Sequence, residues 1–299
     1  MQRDTTVPRD THRPVARVLK GHGTENDFVI VPDLDGAMSL SATAVRALCD
    51  RHGGIGADGV LRVVRTKEAT EPDVLAQAEV AEYFMDYRNA DGSIAEMCGN
   101  GARVFARYLQ RAGLVAGDTH IATRGGTRRI RFVGEDIAVE MGPARRRGET
   151  PSVSVQGRSL PLLTAVDMPN PHVVVEVADE AALDALDLAV APVVSPPLPD
   201  GQNVEFVVRT GPRSVRLRVH ERGVGETRSC GTGICAAVAA AAGVFEPGER
   251  GWPSDIWTVD VPGGRCRVSW NAAGSVVLTG PAVLVGEICL DEDWLHDHR

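Results

Sequence analysis

The feature that most limits how this chain can fold is a turn that occurs twice. Glu96-Met97-Cys98-Gly99-Asn100-Gly101 lies in the first half and Arg228-Ser229-Cys230-Gly231-Thr232-Gly233 in the second. Each follows extended sequence and opens a helix. Glycine on both sides of a small polar residue lets the backbone turn tightly and leaves the nearby amides unobstructed. Amides at a helix start have no intrahelical acceptor, and with the positive end of the helix dipole they form an anion site. A cysteine at that place is expected to have its thiolate favoured, with a pKa below the free value of about 8.5. A small residue at a helix start would explain one such turn. Two, one per half, point to a symmetric task.

The segments around the turns recur in a similar order. In the first half, residues 29–31 read as a short strand. Residues 41–51 have helical spacing, with Ser39 or Ser41 as N-cap and an end at His52-Gly53-Gly54, where glycine admits a left-handed conformation. Strand patterns follow at 59–65 and 81–87, then a helix over 100–111 closed by Gly113, then short alternating stretches at 119–123, 128–133 and 137–141. A Gly/Pro/Arg-rich passage over 142–151 marks a boundary, and its Arg145-Arg146-Arg147 reads as solvated loop charge. Beyond it come strand patterns at 160–166, 173–177, 204–208 and 215–220, a helix over 232–242 capped by Gly243, and further strands at 256–261, 266–270, 275–278 and 283–290. Strands and helices do not alternate one for one, which disfavours a doubly wound parallel sheet. Two similar α+β domains related by a pseudo-repeat fit the order.

A length of 299 residues suits two domains of ordinary size. With aromatics at only 4%, the cores are expected to be built from Val, Ala, Leu and Ile. No apolar run approaches the roughly 18 residues that span a bilayer, and a net charge of −8 argues against nucleic-acid binding. Residues 1–16 are polar, lack the apolar stretch of a secretory signal, and are expected to form a flexible N-terminal extension of a cytoplasmic protein. Six cysteines without CxxC spacing suggest free thiols and no zinc site. Cys49, Cys266 and Cys289 sit in apolar or alternating patterns and are expected to fill cores.

Two thiols, each at a helix start, suit one reaction in particular. Inverting an α-carbon means taking a weakly acidic proton from one face and delivering another to the opposite face. A thiolate and a thiol on opposite sides do this and exchange roles with direction. The charge of the carbanion spreads into the adjacent carboxylate, where backbone amides stabilise it. A pyridoxal enzyme also acidifies the α-carbon, but it needs a Schiff-base lysine. The chain has only Lys20 and Lys67, neither near a cysteine turn. No cofactor and no metal are expected.

Several separated motifs then carry a resemblance. They are Gly21-His22-Gly23-Thr24-Glu25-Asn26-Asp27-Phe28, Asp50-Arg51-His52-Gly53-Gly54-Ile55-Gly56-Ala57-Asp58-Gly59, Asn89-Ala90-Asp91-Gly92-Ser93, residues 96–103, Asn170-Pro171-His172, and Glu221-Arg222-Gly223-Val224-Gly225-Glu226-Thr227 running into the second cysteine turn. Across residues 20–290 the chain closely resembles bacterial diaminopimelate epimerases. The resemblance implies an α+β fold of two pseudo-symmetric domains, each a mostly antiparallel sheet wrapped around a central helix, with the site between them. It implies residues 17–142 plus 282–299 as one domain and 143–281 as the other, the last strand returning to the first domain. It also implies a homodimer that interconverts LL- and meso-diaminopimelate, with Cys98 and Cys230 as the acid/base pair. Amides of Gly99, Asn100, Gly231 and Thr232 are then expected at the reacting carboxylate and Glu221 at its ammonium. Asn26, Asn89, Asn170, Asn203 and Arg222 are expected at the distal amino-acid end, with His172 nearby. Arg offers a bidentate fork to a carboxylate, and Asn both donates and accepts.

Two places depart from the family pattern. Thr24-Glu25 stands where Leu-Gly is common, which puts the shape of that loop in question, and Gly59 stands where some members have Gln. Proline racemases and hydroxyproline epimerases resemble the chain at the cysteine turns, but their first turn usually carries His where this chain has Asn100. Isomerases of the phenazine-biosynthesis type lack the two cysteines. A thiol redox protein is a rival of another class, because two thiols facing one carbon lie close enough for oxidation to join them.

Overall fold

The structure, a computed structural model, describes residues 17–245, 255–291 and 293–294. The extension expected over residues 1–16 lies outside the described residues. The first half runs β1 (Arg17–Gly23), β2 (Asn26–Pro32), α1 (Ala42–Cys49), β3 (Gly59–Arg65), α2 (Pro72–Leu75), β4 (Tyr83–Asn89), α3 (Gly99–Arg111), β5 (Thr119–Ala122), β6 (Arg128–Val133), β7 (Asp136–Gly142) and β8 (Arg145–Arg146). The second runs β9 (Ser152–Val155), β10 (Arg158–Leu160), β11 (Leu162–Asp167), β12 (Pro171–Glu176), α4 (Glu180–Asp184), β13 (Val193–Ser195), β14 (Asn203–Gly211), β15 (Ser214–Glu221), β16 (Gly225–Thr227), α5 (Gly231–Ala242), β17 (Trp257–Val261), β18 (Gly264–Trp270), β19 (Val276–Gly280) and β20 (Val283–Cys289).

The pseudo-repeat is visible in the ladders. β1–β2 is antiparallel, β2–β3 parallel, β3–β4 antiparallel, β4–β5 parallel, and β5–β6 and β6–β7 antiparallel. The same succession recurs through β11–β12, β12–β14, β14–β15, β15–β17, β17–β18 and β18–β19. Parallel neighbours need a crossover rather than a hairpin, and a helix supplies it each time. α1 links β2 to β3, α3 links β4 to β5, α4 links β12 to β14, and α5 links β15 to β17. The halves join where β19 pairs with β7, setting Leu278 opposite Val139, and where β8 pairs with β11. β20 pairs with β1.

α3 and α5 are the two helices buried within this sheet. Val104, Phe105, Ala106 and Leu109 of α3 are wholly buried, as are Ile234, Cys235, Ala236, Ala237, Val238 and Ala239 of α5. α5 is almost all small residues after its first turn, which lets surrounding strands approach on most sides. Gly113 and Gly243 follow the two helices in the left-handed region, at φ 70° and 67°, as their positions suggest.

Some local expectations are corrected. α1 ends earlier than expected: Asp50 caps it, its carboxylate accepting from the His52 and Gly53 amides at 2.8 and 2.6 Å. Gly54 is required for close approach rather than for a left-handed turn, since a Cβ there would lie 1.9 Å from the Ala47 carbonyl oxygen. The Arg145-Arg146-Arg147 run is not loop charge alone. Arg145 and Arg146 form β8, Arg146 lies over the Phe245 ring at 4.5 Å, and Arg147 pairs with Asp167 and Glu149 at 2.8 and 2.6 Å. Cys49 and Cys266 are buried as expected, but Cys289 is exposed on β20.

Candidate active site

The backbones of the two cysteine turns meet where α3 and α5 begin. Cys98 caps α3, its Sγ accepting from the Gly101 amide at 3.4 Å, and Cys230 occupies the same place before α5. Two helix starts come this close only because glycines line the junction. A Cβ on Gly231 would lie 3.2 Å from both the amide nitrogen of Asn100 and the Cα of Gly99, and one on Gly99 would lie 2.6 Å from the Met141 methyl. The free amides of both helices therefore converge on one place.

Asn100, wholly buried, ties the turns together. Its Nδ2 donates to the Ser229 carbonyl at 3.1 Å and to Asn26 Oδ1 at 3.2 Å, while its Oδ1 accepts from Arg103 at 2.8 Å. Cys98 Sγ reaches Asn26 Oδ1 at 3.7 Å. Asn26 is itself held by Asp58, which accepts from its Nδ2 at 2.8 Å. Asp58 belongs to an ionic cluster in which Arg51 bridges it to Asp27, and Lys20 pairs with Asp27 at 2.6 Å. Lys20 thus serves to hold this corner, and Lys67 is a surface residue.

On the other side, Asn203 is the link. Its Nδ2 approaches Cys230 Sγ at 3.8 Å and its Oδ1 accepts from the Arg222 amide at 2.9 Å. The Arg222 guanidinium is exposed and bonds the Asp200 carbonyl. Thr232 Oγ1 lies 3.4 Å from Cys230 Sγ. Parallel pairing of β12 with β14 sets His172 opposite Asn203. His172 is wholly buried, with Nδ1 2.7 Å from Glu205 Oε1 and Nε2 3.1 Å from Asn170 Oδ1. Glu221 accepts from the Thr227 hydroxyl. Asn89 accepts from the Tyr87 hydroxyl at 2.8 Å. Burial, then the charges of Cys98, Glu221, Asp58 and Cys230, push the Tyr87 phenol well above its ordinary range.

Sequence reasoning did not single out Glu205, Arg103, Tyr87, Ser229 or Asp58. Glu205 had a usable signal, since it stands two residues after Asn203 and shares its face of β14. The missing side chain at Gly59 also finds its reason here: a Cβ would lie 2.8 Å from Tyr87 Cε2.

The electrostatics reverse one expectation. Burial pushes the Cys98 thiol up to about 11, outweighing the Gly101 and Asn100 amides, and Glu221 adds to the rise. Burial, then Glu221 and Glu205, push Cys230 well above its ordinary value. Glu221 is raised too, chiefly by burial. Helix starts favour the thiolates, but desolvation and a nearby carboxylate outweigh them. Elsewhere, a cavity of about 340 Å³ lies in the second half, lined by Leu160, Val177, Ala182, Leu186 and Arg209 among others. None of the cysteine-turn residues lines it.

The family model for diaminopimelate epimerase matches residues 18–147 and 164–285. The chain belongs to the diaminopimelate epimerase family. It is 53% identical over 284 residues to the diaminopimelate epimerase of Streptomyces coelicolor, covering 93% of this chain and 96% of that protein. To the diaminopimelate epimerase of Thermobifida fusca it is 50% identical, covering 91% and 96%. Among solved structures, a PhzF-family phenazine biosynthesis protein of Bacillus anthracis superposes with a TM-score of 0.67 at 17% identity, covering 93% of this chain and 100% of that one. A probable proline racemase from Agrobacterium radiobacter superposes with a TM-score of 0.63 at 16% identity, covering 92% of each chain. At these identities the structural likeness establishes the shared fold, the mixed two-part architecture expected for the family. No described helix is long and apolar enough to cross a membrane.

Proposed function

We propose that this chain interconverts LL- and meso-2,6-diaminopimelate, on the route to lysine and peptidoglycan, by a two-base reaction in which Cys98 and Cys230 are acid and base. The observation that carries this reading is the abutment of the two cysteine-bearing helix starts across Gly99 and Gly231. One thiolate removes the α-proton while the opposite thiol delivers another, and the reverse reaction exchanges them. Amides of Gly99, Asn100, Gly231 and Thr232 receive the carboxylate, whose negative charge grows as the proton leaves. Glu221 receives the α-ammonium. Glu221 opposes both thiolates; a bound ammonium offsets its charge, so binding itself lowers the cost of forming a thiolate. Asn26, Asn89, Asn170, Asn203 and Arg222 are assigned to the distal amino-acid end, with His172 fixing Asn170.

The division into residues 17–142 plus 282–299 and 143–281 is supported by the repeated ladder order and by the pairing of β20 with β1. Homodimerisation is supported by β20, which exposes Val283 and Val285 and pairs only with β1 among the described strands. A cytoplasmic location is supported by six free cysteines. The acid/base reading is tested with Cys98→Ala and Cys230→Ala. Each is expected to lower kcat by about 10²-fold or more with folding intact. Full activity in either variant contradicts it.

A further inference from the structure

The two cysteine turns are alike in backbone, yet the charges buried behind them are opposite. Behind Cys98 lies Arg103, the largest wholly buried side chain, in the second turn of α3. Its partners are the Pro281 and Gly99 carbonyls, Thr24 Oγ1 and Asn100 Oδ1, all neutral oxygens. The guanidinium is thus a buried cation with no carboxylate bonded to it among the described residues. Through Asn100 and Asn26 it connects to Cys98.

Behind Cys230 lies Glu205, also wholly buried. It packs against the first turn of α5, where a Cβ on Gly233 would lie 2.6 Å from Glu205 Oε1. That oxygen takes the His172 contact at 2.7 Å, while Oε2 has no hydrogen-bond partner. A carboxylate at this place repels a thiolate on the neighbouring Cys230. Glu221 opposes a thiolate at either sulfur.

We propose that Glu205, fixed by His172 beneath α5, is a positioning residue that disfavours a thiolate at Cys230, while the buried Arg103 makes Cys98 the sulfur that forms the thiolate first. The two sulfurs thus enter the cycle unequal in readiness to ionise although the turns are pseudo-symmetric. The titratable groups that act on Cys230 are Glu205 from β14, Glu221 from β15 and Tyr87 from β4, with His172 from β12 behind Glu205. Those that act on Cys98 are Arg103 from α3, Glu221 and Tyr87. Glu205 and Arg103 are the members that differ between the two sides. The inference rests on the acid/base reading above.

The test is iodoacetamide alkylation across pH 6–10, with Cys98 and Cys230 followed separately by peptide mass spectrometry, in wild type, Glu205→Gln and Glu205→Asp. Cys98 is expected to react at lower pH than Cys230 in the wild type. Glu205→Gln is expected to raise the Cys230 rate at pH 8 on the order of tenfold, a one-unit fall in its pKa, while changing Cys98 far less. Glu205→Asp, which keeps the charge, is expected to restore the wild-type order. A Glu205 that merely packed would leave both pH profiles where they are. Cys230 reacting first in the wild type overturns the proposal, as does an unchanged Cys230 in folded Glu205→Gln. Should Glu205→Gln not fold, the wild-type order and Glu205→Asp decide. If Cys98→Ala and Cys230→Ala both retain activity, the acid/base reading falls whatever the alkylation order. If both are inactive and Cys230 ignores Glu205→Gln, only this inference falls.

Discussion

Gly231 and Gly99 sit so close that a Cβ on the former would lie 3.2 Å from the Cα of the latter. The contact joins the starts of two helices whose dipoles both point their positive ends at the junction, which is unfavourable unless an anion is shared between them. A substrate carboxylate meets that need.

The raised thiols give the reaction a pH dependence with a definite sign. Each cysteine must lose a proton to act as base, and burial holds Cys98 at about 11. At neutral pH the thiolate fraction is small and grows about tenfold per pH unit. Accordingly, kcat/KM is expected to rise steeply from pH 7 to 9, measured by initial rates with LL-diaminopimelate. A flat profile over that interval contradicts it.

The β1–β2 hairpin turns through Thr24 and Glu25 at φ 50° and 60°, a left-handed pair that ordinarily favours Asn-Gly. Tertiary contacts compensate: Thr24 Oγ1 lies 2.6 Å from Ser229 Oγ of the other half and accepts from Arg103 of α3 at 3.2 Å, and Glu25 pairs with Arg228 of the other half. Thr24→Val keeps the shape but strands a buried donor. It is expected to cost about 1–3 kcal/mol, seen as a fall in melting temperature of several degrees. An unchanged melting temperature removes the hydroxyl from this account.

How much of this was legible follows the physics of each signal. β3 and β6 were readable from end to end because each is a short segment rich in Val, Leu, Ile or Phe set off by turn or polar residues. β1 was not, since its ladder with β20 shifts register between Lys20 and Gly21 and a glycine breaks its pattern. β8, β13 and β16 are two or three residues long and leave no period to detect. The cysteine turns were legible because four consecutive residues dictate their geometry. The raised thiol pKa values were not, because burial depends on what folds over the site. Glu205 and Arg103 likewise gain meaning only from neighbours distant in sequence, His172 and Thr24.

Asp27 makes acid stability testable. Burial raises its carboxyl, but Arg51 and Lys20 more than offset this and hold it well below the ordinary range. Its contribution is then present above the unfolded pKa of about 3.9 and is lost as pH falls toward the folded value. Lys20→Met is expected to cost about 1–2 kcal/mol at pH 7 and progressively less below pH 4, followed by urea unfolding. A penalty that does not shrink in acid contradicts the pairing.

Arg222 presents an exposed guanidinium beside Asn203. Lysine cannot reproduce its two-pronged contact with a carboxylate. Arg222→Lys is therefore expected to raise KM about tenfold with little change in melting temperature. An unchanged KM removes Arg222 from the distal end of the site.

The most direct measurement of the two-base account is epimerisation in heavy water. The purified protein is incubated with LL-diaminopimelate, and the meso product formed early in the reaction is examined by NMR and mass spectrometry. The account predicts deuterium at the inverted α-carbon of the product while unreacted LL substrate remains largely protiated, because the proton delivered comes from the opposite thiol. Inversion with the original hydrogen retained, or equal labelling of substrate and product from the outset, contradicts it.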